Sequence, residues 1–435
     1  MSNAQKRTRT SKKPQLLRGF KDILPEDAGY WRVIRDSAEK ILDAYGYGSL
    51  QPPLVEQTSL FRRSIGEHTD IVSKEMFTFT DKSNESMTLR PELTAGIARA
   101  YIEHGMINRT QPVKVYSIGP AFRYDRPQAG RYRQFHQLDI ESIGNDKPAA
   151  DAEIIFLAYL ICSELGLDVQ IKINSLGSLE ARVEYIKLLK DYLKSKRRLL
   201  CDEDKQRLTK NPLRILDSKD PAARDLIQDA PQLIDHLDEA SKDHFVAVLE
   251  HLGESGVPYE LDPFIVRGLD YYNRTAFEIV SSTPPAEGEQ PLAIGGGGRY
   301  DGLIEQLGGR PTPAVGMAFG LERMIELART SGKALPKGRQ PQLFLAQLGE
   351  EASKHAFGLF EVLRKANIRV RANFSKDGLK AQLEQADKLG VPYCIILGQK
   401  ELLDKTIIIR DMENGMQEVV DVRKVVDEVK KRLKK

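Results

Sequence analysis

The chain of 435 residues has only three cysteines, Cys162, Cys201 and Cys394, and they lie far apart. An odd, scattered set offers no disulfide framework and no metal-ligand spacing, and it fits a reducing compartment. Cys162 and Cys394 sit in apolar runs and read as core residues. No apolar run approaches the roughly 20 residues that a bilayer-spanning helix needs. The opening stretch MSNAQKRTRTSKKPQ is basic and polar, with no apolar segment behind it. It lacks the form of a secretory signal, so residues 1–14 read as a disordered arm and the chain as cytoplasmic. HExxH, GxSxG and the GxxxxGK[ST] phosphate loop are absent, and no Cys–His nucleophile pattern appears. Hydrolases built on those motifs are thereby excluded. Net charge is only +3, so a nucleic-acid partner has to be met by local patches.

What is present is a long alternation of strand and helix patterns. Residues 27–46 carry Trp31, Ile34, Ala38, Ile41, Leu42 and Tyr45 at helical spacing. QPPLVEQTSLF at 51–61 reads as extended, because Pro52 and Pro53 bar a helix. Residues 75–81 and 86–92 read as two strands, and 93–104 as a helix. The segments 113–125 and 131–144 read as long strands joined by the loop RPQAG. A helix at 151–166 follows, then a strand and a turn over 169–178. From about 180 to 258 the chain is charged and mostly helical, which marks an insertion between two halves of one sheet. Strand signals resume at 266–280 and 291–299, and AVGMAFGLERMIEL reads as a helix over 315–329. Residues 330–342 have linker composition. Beyond them strands at 343–349, 368–374, 392–398 and 406–412 alternate with helices at 351–366, 376–389 and 421–434. That is a small α/β domain with a largely parallel sheet.

Side chains on a strand alternate between faces. On 131–141 one face gathers Arg131, Arg133, Phe135, Gln137, Asp139 and Glu141, and Arg123 joins it from the strand before. Guanidinium groups in such a set suit phosphate and carboxylate, and a ring such as Phe135 can stack on a base. The loop DRPQAGR adds Arg126 and Gln128 on an exposed tip able to reach phosphates or base edges. RGLDYYNRTAFE brings Arg267, Tyr271 and Tyr272 close together, which suits a pocket for a small polar ring. In AIGGGGRYDGL four glycines permit close backbone approach, although a sharp bend at a sheet end explains them equally well. On a helix, Gly316, Gly320 and Arg323 would share a face and leave room for a flat ligand. His136 reads as structural.

Taken together, these segments resemble one family. FRYDRPQAGRYRQFHQLDIE at 122–141 and AVGMAFGLERMIEL at 314–327 are similar to the second and third signature motifs of class II aminoacyl-tRNA synthetases. The 27–46 helix with Pro52 and Pro53 is similar to the first, which in the family builds the dimer interface. RGLDYYNRTAFE and GGGGRYDGL resemble two elements particular to the histidyl members. Similarity runs from about residue 16 almost to the end, including RGFKDILPED and ADKLGVPYCIILG; Phe20 and Leu93 depart from the pattern. The resemblance implies an α+β catalytic domain on an antiparallel sheet with flanking helices over 15–329, interrupted by the insertion. A linker at 330–340 and a 341–435 anticodon-binding α/β domain with a mixed sheet would follow. It implies activation of L-histidine with ATP and Mg2+, transfer to tRNA(His), and a homodimer with no membrane partner. Carried residue by residue, it implies Glu92 and Thr94 at the histidine amino group, with Gln137 and Glu141 as further histidine ligands. Arg123 and Arg267 are then the catalytic arginines at the α-phosphate, with Arg123 also at the reacting carboxylate. Tyr271, Tyr272 and Tyr300 form the imidazole pocket, and Phe135 and Arg323 sandwich adenine. Arg126 and Gln128 meet the tRNA acceptor end, and no protein site is dedicated to a metal. The alternative is a non-catalytic, synthetase-like regulatory subunit or sensor, a class that typically lacks the RGLDYY element and the anticodon-type domain.

Overall fold

The computed structural model describes residues 13–67, 69–126, 130–218, 220–283, 291–331, 340–375 and 378–434. Two compact units divide the chain, 1–336 and 337–435. No helix among the described residues is long and apolar enough to cross a membrane.

The first unit opens with α1 (Pro25–Ala44). Proline at its first position and Glu26 and Asp27 in its first turn suit a helix N-terminus. Then come β1 (Gly48–Ser49), β2 (Val55–Gln57), α2 (Thr58–Ile65), β3 (Phe77–Thr80), β4 (Ser86–Leu89) and α3 (Thr94–Glu103). The long strands β5 (Val113–Phe122) and β6 (Gln134–Ile143) lead to α4 (Pro148–Glu164) and β7 (Val169–Ser175). Four helices follow, α5 (Leu179–Ser195), α6 (Asp202–Lys210), α7 (Pro221–Gln228) and α8 (Glu239–Glu254). The unit closes with β8 (Tyr259–Leu261), β9 (Asn273–Ser281), β10 (Ala293–Arg299), α9 (Leu303–Gln306), β11 (Ala314–Gly320) and α10 (Leu321–Thr330).

Its main sheet runs β1-β5-β6-β11-β10-β9-β7-β8. The edge pairs β1–β5 and β7–β8 are parallel, and every pair between them is antiparallel. One face is apolar: Leu138 and Ile140 of β6 and Val315, Met317 and Phe319 of β11 join α1, α4, α8 and α10 in a single core. Each such side chain contributes roughly 1.5–3 kcal/mol by burial. Period-2 alternation then obliges Phe135, Gln137, Asp139 and Glu141 to face the other way, where the sheet is uncovered enough to hold a cavity.

Two expectations fail here. Residues 314–320 are a strand, and only Leu321–Thr330 is helical. Gly316 and Gly320 therefore do not share a helical face with Arg323. Their physical role is different: Val315, Met317 and Phe319 fill the core, and the glycines lie on the opposite, cavity-facing side of a sheet strand. The glycine run is no bend at a sheet end either. It forms most of β10, between β9 and β11. Smaller shifts are that Thr58–Ile65 is already helical, and that the strand expected from 266 starts at Asn273. Arg131 and Arg133 precede β6 rather than belonging to it.

The second unit contains β12 (Leu343–Gln347), α11 (Glu350–Lys365), β13 (Val370–Ala372), α12 (Leu379–Lys388) and β14 (Tyr393–Leu397). It ends with α13 (Gln399–Asp404), β15 (Thr406–Asp411), β16 (Gln417–Asp421) and α14 (Val425–Leu433). Its sheet order is β13-β12-β14-β15-β16. Only the β12 pairings are parallel; β14–β15 and β15–β16 are antiparallel. The largely parallel reading from the strand–helix alternation gives way to the mixed sheet that the resemblance implied: β15 pairs antiparallel with β14, and β16 follows a turn and folds straight back on β15.

Candidate active site

On the polar side of the main sheet lies a cavity of about 370 Å³. Its floor is β6, β10 and β11; its walls are the β4–α3 loop, the 267–272 loop and the start of α10. Of the residues singled out from sequence, Glu92, Thr94, Arg123, Phe135, Gln137, Arg267, Tyr271, Tyr272 and Arg323 line it. Glu141 and Tyr300 stand one layer behind. Arg126 is exposed and outside the lining, and Gln128 lies outside the described residues.

One end is built from carboxylates and tyrosines. The Thr94 hydroxyl donates to Glu141 Oε1 at 2.7 Å and the Tyr300 hydroxyl donates to Glu141 Oε2 at 2.6 Å. Glu92 Oε1 accepts the Ala95 N–H at 2.8 Å, at the start of α3. The Tyr271 ring lies 4.6 Å from that of Tyr272 and 5.6 Å from that of Tyr300, centroid to centroid. Burial pushes the Glu141 carboxyl up to about 8, against the pull of the Tyr300 and Thr94 hydroxyls and with a further push from Glu92. Gly316 makes this possible: a Cβ there would sit 1.5 Å from Glu141 Oε2.

The other end is cationic. Arg123 Nε donates to the Pro91 carbonyl at 2.9 Å, and its guanidinium lies 5.3 Å from the Phe135 ring centroid. Arg267 Nη1 donates to Glu278 Oε1 at 3.0 Å and its guanidinium lies 5.4 Å from the Tyr272 centroid. Here Gly296 is required, since a Cβ would fall 2.8 Å from Arg267 Nη1 and 2.7 Å from the Phe277 carbonyl oxygen. Arg323 Nη1 donates to the Ala293 carbonyl at 2.7 Å. Arg131 and Arg214 also line this end, paired with Asp125 and Asp70; Arg123 and Arg323 donate to backbone carbonyls, so their charge is available to an anionic ligand.

Three residues here went unassigned in the sequence. Asp139 lines the floor between Gln137 and Glu141; its strand parity was the available signal. Glu278 holds Arg267 from β9, eleven residues away, a pairing that no local pattern announces. Glu322 accepts the His136 N–H with both oxygens, at 3.0 and 2.9 Å, and bonds His136 Nδ1 at 2.9 Å. It thereby ties the start of α10 to β6. His136 is on the opposite side of β6 from the cavity floor, edge-on to Trp31 at 4.7 Å.

The family model for histidyl-tRNA synthetase matches residues 19–324, and that for an anticodon binding domain matches residues 342–432. The chain is 45% identical to a histidine–tRNA ligase of Caldicellulosiruptor saccharolyticus over 97% of this chain and 100% of that one. It is also 45% identical to a histidine–tRNA ligase of Dehalococcoides mccartyi over 96% of this chain and 99% of that one. The crystal structure of apo histidyl-tRNA synthetase from S. aureus superposes with a TM-score of 0.79 at 35% identity, covering 96% of this chain and 100% of that one. The chain belongs to the histidyl-tRNA synthetase family. It has that family's fold: a large antiparallel-rich sheet with flanking helices, and a C-terminal anticodon-type domain with a mixed sheet. Near full-length similarity to catalytic synthetases favours the enzyme over a regulatory relative.

Proposed function

We propose that this cavity carries out both chemical steps of histidine–tRNA ligation, the activity of the family to which the chain belongs. The observation that carries the assignment is the cavity's polarity. A carboxylate-and-tyrosine end and an arginine end are joined by one strand, β6. Phe135 and Gln137 are two residues apart on it, about 7 Å along the strand, so a base over the first and an amino acid over the second are neighbours.

In this reading Glu92, Thr94 and Gln137 hold the amino group, and Tyr271 and Tyr272 wall the imidazole. Tyr300 and Glu141 support that pocket from behind. Tyrosine suits imidazole because it offers an apolar ring and a hydroxyl partner together. Phe135 and Arg323 enclose adenine, and Arg123 and Arg267 meet the α-phosphate. The histidine carboxylate is already ionised and needs no general base. One of its oxygens attacks the α-phosphorus in line, and the bond to pyrophosphate breaks. The arginines stabilise the added charge, an effect worth on the order of 10²–10³ per donor. A terminal hydroxyl of tRNA(His) then attacks the acyl carbon and AMP leaves. Any Mg2+ would be held chiefly by the phosphates of ATP and would neutralise their charge: at the arginine end Asp70, Asp125 and Glu278 are each paired with an arginine, which leaves Glu75 as the lining carboxylate there able to assist it. The loop of Arg126 and Gln128 approaches the acceptor end, the 337–435 unit takes the anticodon, and α1 with Pro52 and Pro53 forms a homodimer contact.

The test is ATP–pyrophosphate exchange on the purified chain with Mg2+ and each amino acid in turn. Exchange with histidine alone is the expected result. No exchange with any amino acid from a folded protein would remove the assignment.

A further inference from the structure

We infer that Asp139, with Ser117 opposite it, is a further specificity-determining residue of this site: beside Glu92, Thr94 and Gln137 it meets the positive charge of the substrate's α-ammonium and strengthens the refusal of acids that lack one. The inference rests on the reading that the cavity takes histidine.

Asp139 is 1% exposed, lines the cavity, and neither of its carboxylate oxygens meets a donor among the described residues. Ser117 is its cross-strand partner on β5, fully buried, and its Oγ is likewise unpartnered. Glu92 Oε2 and Gln137 Oε1 are in the same condition. Buried polar atoms without partners are costly while the site is empty. Neighbouring cations do not supply the donors. Arg90 gives its hydrogen bonds to the carbonyls of Pro120, at 2.8 Å, and Pro52, at 2.7 Å. Arg123 gives its Nε–H to Pro91. Across the floor on β11 stands Ala318, which has no polar side chain. The missing complement has several N–H donors in a compact array and a positive charge, because Glu92 and Asp139 bring two carboxyl groups with unpartnered oxygens to the cavity. A primary ammonium is that group, and an amide or hydroxyl lacks the charge. Burial, then Glu141 and Glu92, push the Asp139 carboxyl well above the usual carboxylate range, while Arg90 and Arg123 pull it down. Burial and the neighbouring acids thus oppose a charge on Asp139 in the empty floor, and an arriving ammonium favours it.

Calorimetric titration of the full-length chain separates the contributions. The probes are histidine, histidinol (ammonium without carboxylate) and 3-(imidazol-4-yl)propionate (carboxylate without ammonium). Asp139→Asn, nearly the same shape without the charge, should weaken histidine and histidinol about 10- to 100-fold and leave the propionate within about twofold. Proton release on histidine binding, read in two buffers of different ionisation enthalpy, should fall in the variant. Equal loss for all three probes, or no loss for any, would overturn the inference. Should Asp139→Asn not fold, Ser117→Ala removes one hydroxyl and must show the same split, a few-fold in size; no split there overturns the inference as well. Failure of the wild type to bind histidine is a different result, which strikes the proposed function instead.

Discussion

Glu141 shows how one residue sets both stability and recognition. It is buried, accepts hydrogen bonds from the Thr94 and Tyr300 hydroxyls, and feels the charge of Glu92. Its carboxyl rises from an ordinary 4.5 to about 8 on folding. Between those pH values the folded chain holds a proton that the unfolded chain has lost. Stability therefore falls as pH rises through this window, by at most roughly 1.4 kcal/mol per pH unit from this group, and levels off above it. Asp139 and Glu92, also raised by burial, act in the same direction. Urea midpoints of the empty protein from pH 5 to 9 should decline, and Glu141→Gln should make the decline shallower. An unchanged slope in that variant would show that Glu141 titrates normally. Arg267 is the second residue to test. Arg267→Ala should cut histidine-dependent pyrophosphate exchange by on the order of 10²–10³ with the circular dichroism spectrum intact; near-normal exchange would remove its role at the phosphate. Most of these side chains were legible in the sequence, because strand parity alone put Phe135, Gln137 and Glu141 on one face. Asp139 shared that parity but matched no expected ligand. Glu278 was invisible, since its pairing with Arg267 exists only once the 267–272 loop returns over β9.

At the scale of elements, the site depends on α10 being fixed against β6. Arg323 leaves the first turn of α10 and Phe135 stands near the start of β6. The adjacent pair Glu322 and His136, bonded on the far side, sets their spacing. Glu322→Ala frees a half-buried backbone donor and unties the helix start, at a cost of about 1–3 kcal/mol. The KM for ATP should rise at least about tenfold while the KM for histidine moves little, because the histidine ligands lie elsewhere. Equal changes in both constants would point to a general loosening of the fold. The same junction is where sequence reading misjudged the structure. Apolar residues at 315, 317 and 319 alternate, yet those from 321 to 328 follow helical spacing, and the two patterns join without a proline. The pairing of β11 with β6 and β10 decides in favour of a strand, and that is tertiary information. Elements bounded by prolines or isolated by polar turns, such as α1 and the β5–β6 pair, were legible because their signals are local.

At the scale of the whole molecule, every residue lining the cavity belongs to the first unit. The 337–435 unit has apolar clusters of its own on both faces of its sheet, around Leu343 and Leu345 on one and Phe344 and Ala346 on the other. Chemistry at the cavity and recognition by the second unit should therefore separate. A chain ending at residue 331 should keep histidine-dependent pyrophosphate exchange within about tenfold of the full chain. It should charge tRNA(His) at least about 100-fold less efficiently, because two linked contacts on one RNA bind more tightly than either alone by factors of roughly 10²–10⁴. Loss of exchange would mean that the second unit shapes the cavity. Normal charging would mean that the acceptor end alone identifies the tRNA, and would shift the weight of recognition to the loop between β5 and β6.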